Sequence, residues 1–320
     1  LGFCSPLTEH GIPAQQKALD VRRKPKLTFL KFAILIHILD WDFNETEYII
    51  DNGISLIHIR DHPIEKLYHS LFKEKGIDDE EPFMFNTALV LYDETNEDHS
   101  FYPSASPQSL SSIFLNLLTI LNGASIGICR VIGSKDNFDT SWGTYELYDA
   151  LTENVYELTE VRIELNKQNL ELVHRIWNNL KIVWASGHSR IDNALTFYYL
   201  SWNTHTFEQT AISLSIVIET LFSPDSNTEL SHQIAFNLAK FMGETKADRN
   251  EKYGLIKKYY SIRSKLVHGD SIKNAELDSI PIFFNLISNV FLKILIDKEL
   301  IVLFNDNAMR KVYLKDKLFD

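Results

Sequence analysis

Beyond residue 186 the apolar residues stop alternating and recur at helical spacing, and this limits the architecture more than any other feature of the sequence. Residues 194–222 form one long amphipathic run with a weak point near Asn203, and Pro224 ends it because proline cannot continue an α-helix. A second segment starts at Thr228, carries Ile234, Leu238 and Phe241 at i, i+4 and i+7, and stops at Gly243. A third runs from Asp248 to Val267 and stops at Gly269. The fourth follows Asn274, with Ile282, Phe283, Leu286, Val290 and Ile294 as its apolar stripe. Four such segments joined by short polar links predict an all-helical bundle over 186–320.

Residues 27–185 have a different grammar, and the overall fold class expected is α+β, a mixed α/β domain followed by the bundle. Leu27–Asp40 is apolar enough for a buried strand or helix. Gly53–Arg60 alternates and is rich in β-branched residues, which predicts a strand, and Phe85–Tyr92 predicts another. A helix is expected after Pro63, with Ile64, Leu67, Leu71 and Phe72 on one face. Asp78–Glu81 is an acidic loop closed by Pro82, and Asp93–Ser106 is turn-rich. A helical or strand pair is expected near 111–132, then a loop through Trp142 and a helical pattern at 148–184. Residues 1–26, with the basic cluster Arg22, Arg23, Lys24 and Lys26, are expected to form a loose tail.

Composition excludes several classes. A chain with 20 Phe, 13 Tyr and 5 Trp is too aromatic for a solvated coil. Cys4 and Cys129 are its only cysteines, too few for a disulfide framework or a thiolate zinc site. The apolar stretches 28–39, 111–129 and 282–296 are too short or too polar for a membrane span, which needs about 20 mostly apolar residues. These features predict a cytoplasmic protein without membrane contact, metal or cofactor. The formal charge of −11 argues against coating nucleic acid over the whole surface, because phosphate binding is dominated by positive charge. Counted locally the balance reverses: residues 246–273 hold eight Lys/Arg against three Asp/Glu, a local +5.

That basic segment contains Tyr259-Tyr260-Ser261-Ile262-Arg263-Ser264-Lys265-Leu266-Val267-His268-Gly269-Asp270. Arg263 and His268 stand together in the last turns of a helix, a pairing that suits chemistry on a phosphodiester. Imidazole takes or gives a proton near neutral pH, and a guanidinium fork holds two non-bridging oxygens. The structural alternative is that His268 caps the helix carbonyls while Arg263 bridges to a neighbouring helix. Lys257, Lys258 and Lys265 are the RNA-contact candidates, with Tyr259 and Tyr260 beside the first pair.

From about 190 to 296 the chain resembles the Apea-like branch of the HEPN (higher eukaryotes and prokaryotes nucleotide-binding) domains. The resemblance rests on Ile218-Glu219-Thr220-Leu221-Phe222-Ser223-Pro224-Asp225-Ser226, then Glu229–Ala235, then Ile262–Asp270, with Arg263–Gly269 its most specific string. It implies an antiparallel helical bundle that homodimerises and brings two Arg/His motifs into one cleft. It also implies a metal-independent RNA endonuclease of toxin or antiphage-defence type, cleaving RNA by 2′-OH attack. Arg263 and His268 become the catalytic pair, Ser264 the small polar residue after the arginine, and Glu219 a carboxylate orienting Arg263 or His268. The N-terminal domain would sense a phage-derived or protein trigger or position the RNA. Family members paired with a minimal nucleotidyltransferase carry a Tyr two residues after the His, whereas this chain has Asp270, which argues against such a pairing. The alternative implied by the resemblance is a non-catalytic dimerisation or nucleotide/RNA-binding module in a defence complex.

Three other patterns carry weaker chemistry. His58 and His62 are spaced like a pair of metal ligands on a helix, but they sit at the end of a predicted strand before Pro63. Gly187-His188-Ser189-Arg190 lacks the frame of a nucleophile elbow and links the two halves. Tyr198, Tyr199 and Trp202 can stack bases, although aromatics at helical spacing more commonly face a core.

Overall fold

Strand-forming residues dominate the first part of the computed structural model, which describes residues 31–37, 39–41, 47–51, 54–58, 85–92, 107–122, 128–134, 145–149, 163–185, 190–202, 204, 206–224, 229–273, 276 and 278–316. The tail 1–26, the helix after Pro63, the acidic loop 78–81, the turn-rich 93–106, the loop through Trp142, His62 and the 186–189 link lie outside the described residues.

The strands are β1 (Lys31–His37), β2 (Leu39–Trp41), β3 (Glu47–Asp51), β4 (Ile54–His58), β5 (Phe85–Tyr92), β6 (Ile128–Ser134), β7 (Tyr145–Asp149) and β8 (Ile163–Leu165). Six of them form one sheet in the order β3-β4-β5-β1-β6-β7, with antiparallel neighbours throughout. The short β2 and β8 pair in parallel. The strands expected at 53–60 and 85–92 are present as β4 and β5, and the stretch 27–40 supplies β1 and β2. The apolar stretch near 111–132 divides into helix α1 (Pro107–Asn122) and strand β6.

The helical pattern expected at 148–184 is shorter than its periodicity suggested. Strands occupy 145–149 and 163–165, and α2 (Lys167–Trp184) starts only after Asn166. Asn166 is extended, and its side chain accepts from the Asn169 amide, so it caps the helix rather than joining it. The weak point near Asn203 is a true break between α3 (Arg190–Trp202) and α4 (Phe207–Phe222), with Thr206 capping the second. Next come α5 (Leu230–Met242), α6 (Lys246–His268) and α7 (Ile280–Ile296). Gly243 follows α5 in an extended conformation, and the space there suits glycine: an added Cβ would stand 2.5 Å from Arg249 Cγ and 2.8 Å from the Ala239 carbonyl oxygen. Ile282, assigned by periodicity to the α7 stripe, is 58% exposed, since it lies one residue off the Phe283, Leu286, Val290, Ile294 row.

Two further helices follow that the periodicity did not single out, α8 (Lys298–Asn305) and α9 (Asn307–Asp316). Asp297 accepts from the amides of Glu299 and Leu300 and starts α8 at a 107° bend from α7.

One continuous apolar core joins these elements. Ile50, Ile54 and Leu56 of the β3–β4 hairpin, Phe114 and Leu117 of α1 and Trp177 of α2 pack with the buried faces of the later helices. Helices α1 and α2, N-terminal to residue 186, therefore share their interior with α3–α8. Some polar groups inside are paired: Asn116 donates to the Leu195 carbonyl and accepts from the Trp202 indole at 3.0 Å, and the Tyr198 hydroxyl meets Ser288 at 2.7 Å. The Ser55 and Thr119 hydroxyls, by contrast, are buried without a hydrogen bond among the described residues. Asp51 clasps the hairpin to α2 by accepting from the Trp177 indole at 3.0 Å and Lys181 at 2.8 Å. Tyr198 and Trp202 are thus core residues rather than base-stacking ones.

Candidate active site at the end of α6

Helix α6 carries the basic segment, and its last turn is shaped by Gly269. This residue adopts φ 79°, its amide bonds the Leu266 carbonyl, and the Asp270 amide bonds the Lys265 carbonyl at 2.8 Å. Together these are the two hydrogen bonds of a left-handed C-terminal cap, available to glycine without the Cβ penalty. Nothing lies within 4 Å of a Cβ built at Gly269, so the cost of a side chain is conformational alone. Gly269→Ala is expected to lower stability by about 1 kcal/mol, measured by urea denaturation, with an unchanged denaturant slope.

The second element is the end of α4, where Glu219 sits in the last turn. A carboxylate there opposes the helix dipole, because the C-terminal carbonyls already carry partial negative charge. Four side-chain contacts offset this. Arg190 donates to the Thr220 carbonyl at 2.9 Å, Asn237 to that of Phe222 at 3.1 Å, and Arg310 to those of Leu221 and Ser223 at 3.1 and 2.7 Å. Arg190 and Arg310 both donate to Asn307 Oδ1, which ties α3, α4 and α9 together. The turn bearing Glu219 is therefore held from several sides.

Glu219 Oε1 receives two groups from α6: Arg263 Nη2 at 3.4 Å and the Tyr260 hydroxyl at 3.4 Å. Tyr260 is 8% exposed, whereas the Arg263 side chain retains 37% of its exposure. Burial first, and the Glu219 carboxylate second, push the Tyr260 phenol far above its ordinary pKa. Tyr260 therefore stands as a protonated donor to the Glu219 carboxylate. Of the two partners left open for Arg263 by the sequence, the carboxylate on a neighbouring helix is in contact, while the side chain as a whole keeps part of its exposure.

His268, Ser264 and Lys258 are exposed on α6. Helical geometry of about 100° per residue places His268 about 140° around the axis from Arg263. The two candidate catalytic residues thus share the end of α6 but point to different sides of it within one chain. Lys257 donates to Ser231 of α5 at 3.1 Å. Lys265 pairs with Glu276 at 2.5 Å, and this hydrogen bond is the main reason the Glu276 carboxyl lies below the usual carboxylate range. A depressed pKa makes this link fully present above the unfolded-state value and lost as pH falls through the folded one, so NMR titration should show Glu276 releasing Lys265 only below the ordinary carboxylate range. Tyr259 and Tyr260, placed by the sequence beside the RNA-contact lysines, are core residues: Tyr259 stacks on Phe283 at 3.5 Å and donates to the Ala211 carbonyl.

Sequence reasoning missed Tyr260 as a partner of Glu219, although its position three residues before Arg263 puts both on one helix face. It also missed Arg190, Asn237, Asn307 and Arg310, which carry no local signal because their partners are remote in the chain. His58 ends β4 opposite Thr87 of β5, so the His58/His62 spacing does not fall on a helix at its first member. Among the described residues no cluster of three or more His, Cys, Asp or Glu is arranged to hold a metal ion, and no single helix is long and apolar enough to cross a membrane.

No family model, no curated protein and no solved structure matches the chain. The case for a function is accordingly chemical, and it rests on what Arg263, Glu219, Tyr260 and His268 can do where they stand.

Proposed function

We propose that the chain is a metal-independent RNA endonuclease of HEPN type, acting as a homodimer with an antiparallel bundle at its interface, in a cytoplasmic toxin or antiphage-defence role. The observation that carries this reading is a half-exposed guanidinium paired with a carboxylate that a tyrosine hydroxyl also bonds, at the same helix end as an exposed imidazole. In the reaction proposed, His268 takes the proton from the RNA 2′-OH as its oxygen bonds to phosphorus. The bond from phosphorus to the 5′ oxygen breaks, and a second imidazole returns a proton to that oxygen. Arg263 stabilises the charge that develops on the non-bridging oxygens, and Glu219 with Tyr260 limits the directions in which the guanidinium can point. DNA lacks the nucleophile and is not a substrate.

The divergence of Arg263 and His268 around α6 favours a cleft built by two copies, each supplying one member of a working pair. The N-terminal strands and helices would sense a phage-derived or protein trigger or position the RNA, and Ser264 and Lys258 would line the approach. Purified chain incubated with single-stranded RNA and a chelator is expected to yield 2′,3′-cyclic phosphate and 5′-hydroxyl ends. Cleavage that vanishes with chelator, or that survives in a folded Arg263→Ala/His268→Ala variant, would overturn the reading. The Arg263–Glu219 contact also suits a non-catalytic RNA-binding or dimerisation module, for which RNA is bound by a dimer and left intact.

A further inference from the structure

The paired surface of α5 and α6 carries an unassigned arrangement of rings and cations. His232, Phe236 and Lys240 are spaced i, i+4 and i+8 on the outward face of α5, with the Lys240 ammonium 5.6 Å from the Phe236 ring centre. His232 Nδ1 is hydrogen-bonded to the Tyr253 hydroxyl of α6 at 2.7 Å, with the rings edge to face at 5.6 Å. His232 is exposed, and Phe236, Tyr253, Lys240 and Lys257 are half-buried, so part of each ring and ammonium stem stays at the surface while Tyr253 also packs against the core. Contacts between α5 and α6 run in opposite chain directions, Gly243 against Arg249 at one end and Ser231 against Lys257 at the other. The ring cluster thus leads along α6 toward its C-terminus.

Helical spacing extends this line. At about 100° per residue, Tyr253, Lys257, Ser261, Ser264 and His268 fall within about 80° of one another around α6. From Tyr253 to His268 the helix rises about 22 Å, the length of several nucleotides. Ser261 and Ser264, the residues of that line between Lys257 and His268, are short and exposed. Glu229, one turn before His232, places a negative charge at the flank, where a phosphate chain is repelled.

We infer that this face binds single-stranded RNA, with bases stacking on Phe236, His232 and Tyr253, phosphates meeting Lys240 and Lys257, and the strand directed toward His268. The class of ligand follows from the combination of rings and positive charge. Aromatic faces accept any base, ammonium groups follow the backbone, and a paired duplex offers no free base faces to stack. The inference deepens the nuclease reading by naming the substrate-binding face of the same site.

The test uses the full chain and a fluorescein-labelled single-stranded 2′-O-methyl RNA, which cannot be cleaved by 2′-OH attack, read by fluorescence anisotropy. Phe236→Ala and Tyr253→Ala are each expected to weaken binding about fivefold or more, whereas Tyr253→Phe, which keeps the ring, leaves it close to wild type. Lys257→Ala is expected to reduce the dependence of log affinity on log salt by about 0.7. Photocrosslinking of wild-type chain to a 4-thiouridine version of the oligonucleotide should label peptides containing Phe236 or Tyr253, and this readout needs no variant to fold. Absence of saturable binding, wild-type affinity in folded Phe236→Ala and Tyr253→Ala variants, or crosslinks confined to other segments would each overturn the inference. Binding at this face with no cleavage of ordinary RNA would remove the nuclease reading and leave the RNA-binding face standing.

Discussion

Replacing His268 with alanine is expected to slow RNA cleavage by about 10²–10⁴-fold while leaving thermal stability within error of wild type. The asymmetry follows from position. The imidazole is exposed in the last turn of α6, so its removal opens no cavity and leaves no buried group unpaired. Arg263→Ala should also abolish cleavage, but with a cost in stability, because Glu219 then faces the carbonyl end of α4 without its cation. The two variants together make a sharper test. If one copy's Arg263 works with the other's His268, mixing the single variants restores part of the activity, since each mixed dimer holds one intact pair and lacks only the second imidazole, whose proton water can supply more slowly. If both residues of a pair come from one chain, every site in the mixture lacks one group and activity stays absent. A time course of cleavage on the unmixed and mixed proteins decides between them.

Arg310→Met is expected to destabilise the chain by about 2–4 kcal/mol, among the largest effects of any single change outside the apolar core. Arg310 is 2% exposed and donates to the carbonyls of Leu221 and Ser223 and to Asn307. Methionine fills much of the same volume, so the loss isolates the hydrogen bonds from packing. Two carbonyls at the end of α4 would lose their donor, one of them fully enclosed. Urea denaturation gives the magnitude, with a loss below about 1 kcal/mol contradicting the assignment of Arg310 as the main anchor of that helix end. The same variant should disturb the site, because the turn it holds is the one carrying Glu219. Weaker cleavage accompanied by an altered response to Glu219→Gln would show that the anchor and the site are coupled.

The punctuation of the helical half was legible because its causes are local. Pro224 stops α4, Gly269 takes a left-handed conformation at the end of α6, and the row Ile234, Leu238, Phe241 is buried along α5. Strand β4 was equally plain, since alternation over a few β-branched residues has one economical backbone conformation. Helices α8 and α9 escaped notice even though Asp297 and Asp306 cap them, because short helices give periodicity too few turns to register.

Residue types nominated Arg263 and His268 and set the charge reversal that makes α6 the basic element of an acidic chain, whereas Glu219 was suggested only by the family resemblance. Spacing along the sequence could place His268 about 140° around α6 from Arg263, but it could not say that Arg263 turns toward Glu219. It also could not say that Tyr260, a neighbour in the same motif, is withdrawn from solvent to bond a carboxylate 41 positions away. The clamp on α4 depends on Arg190 and Asn307, which are 117 positions apart, and neither has a meaning until the chain has folded. The helix stops at Pro224, Gly243 and Gly269 come from short-range forces between neighbours in the chain, so the sequence by itself determined them. Which charges meet, and which are buried, is decided by packing across the whole core, and that belongs to the tertiary structure alone.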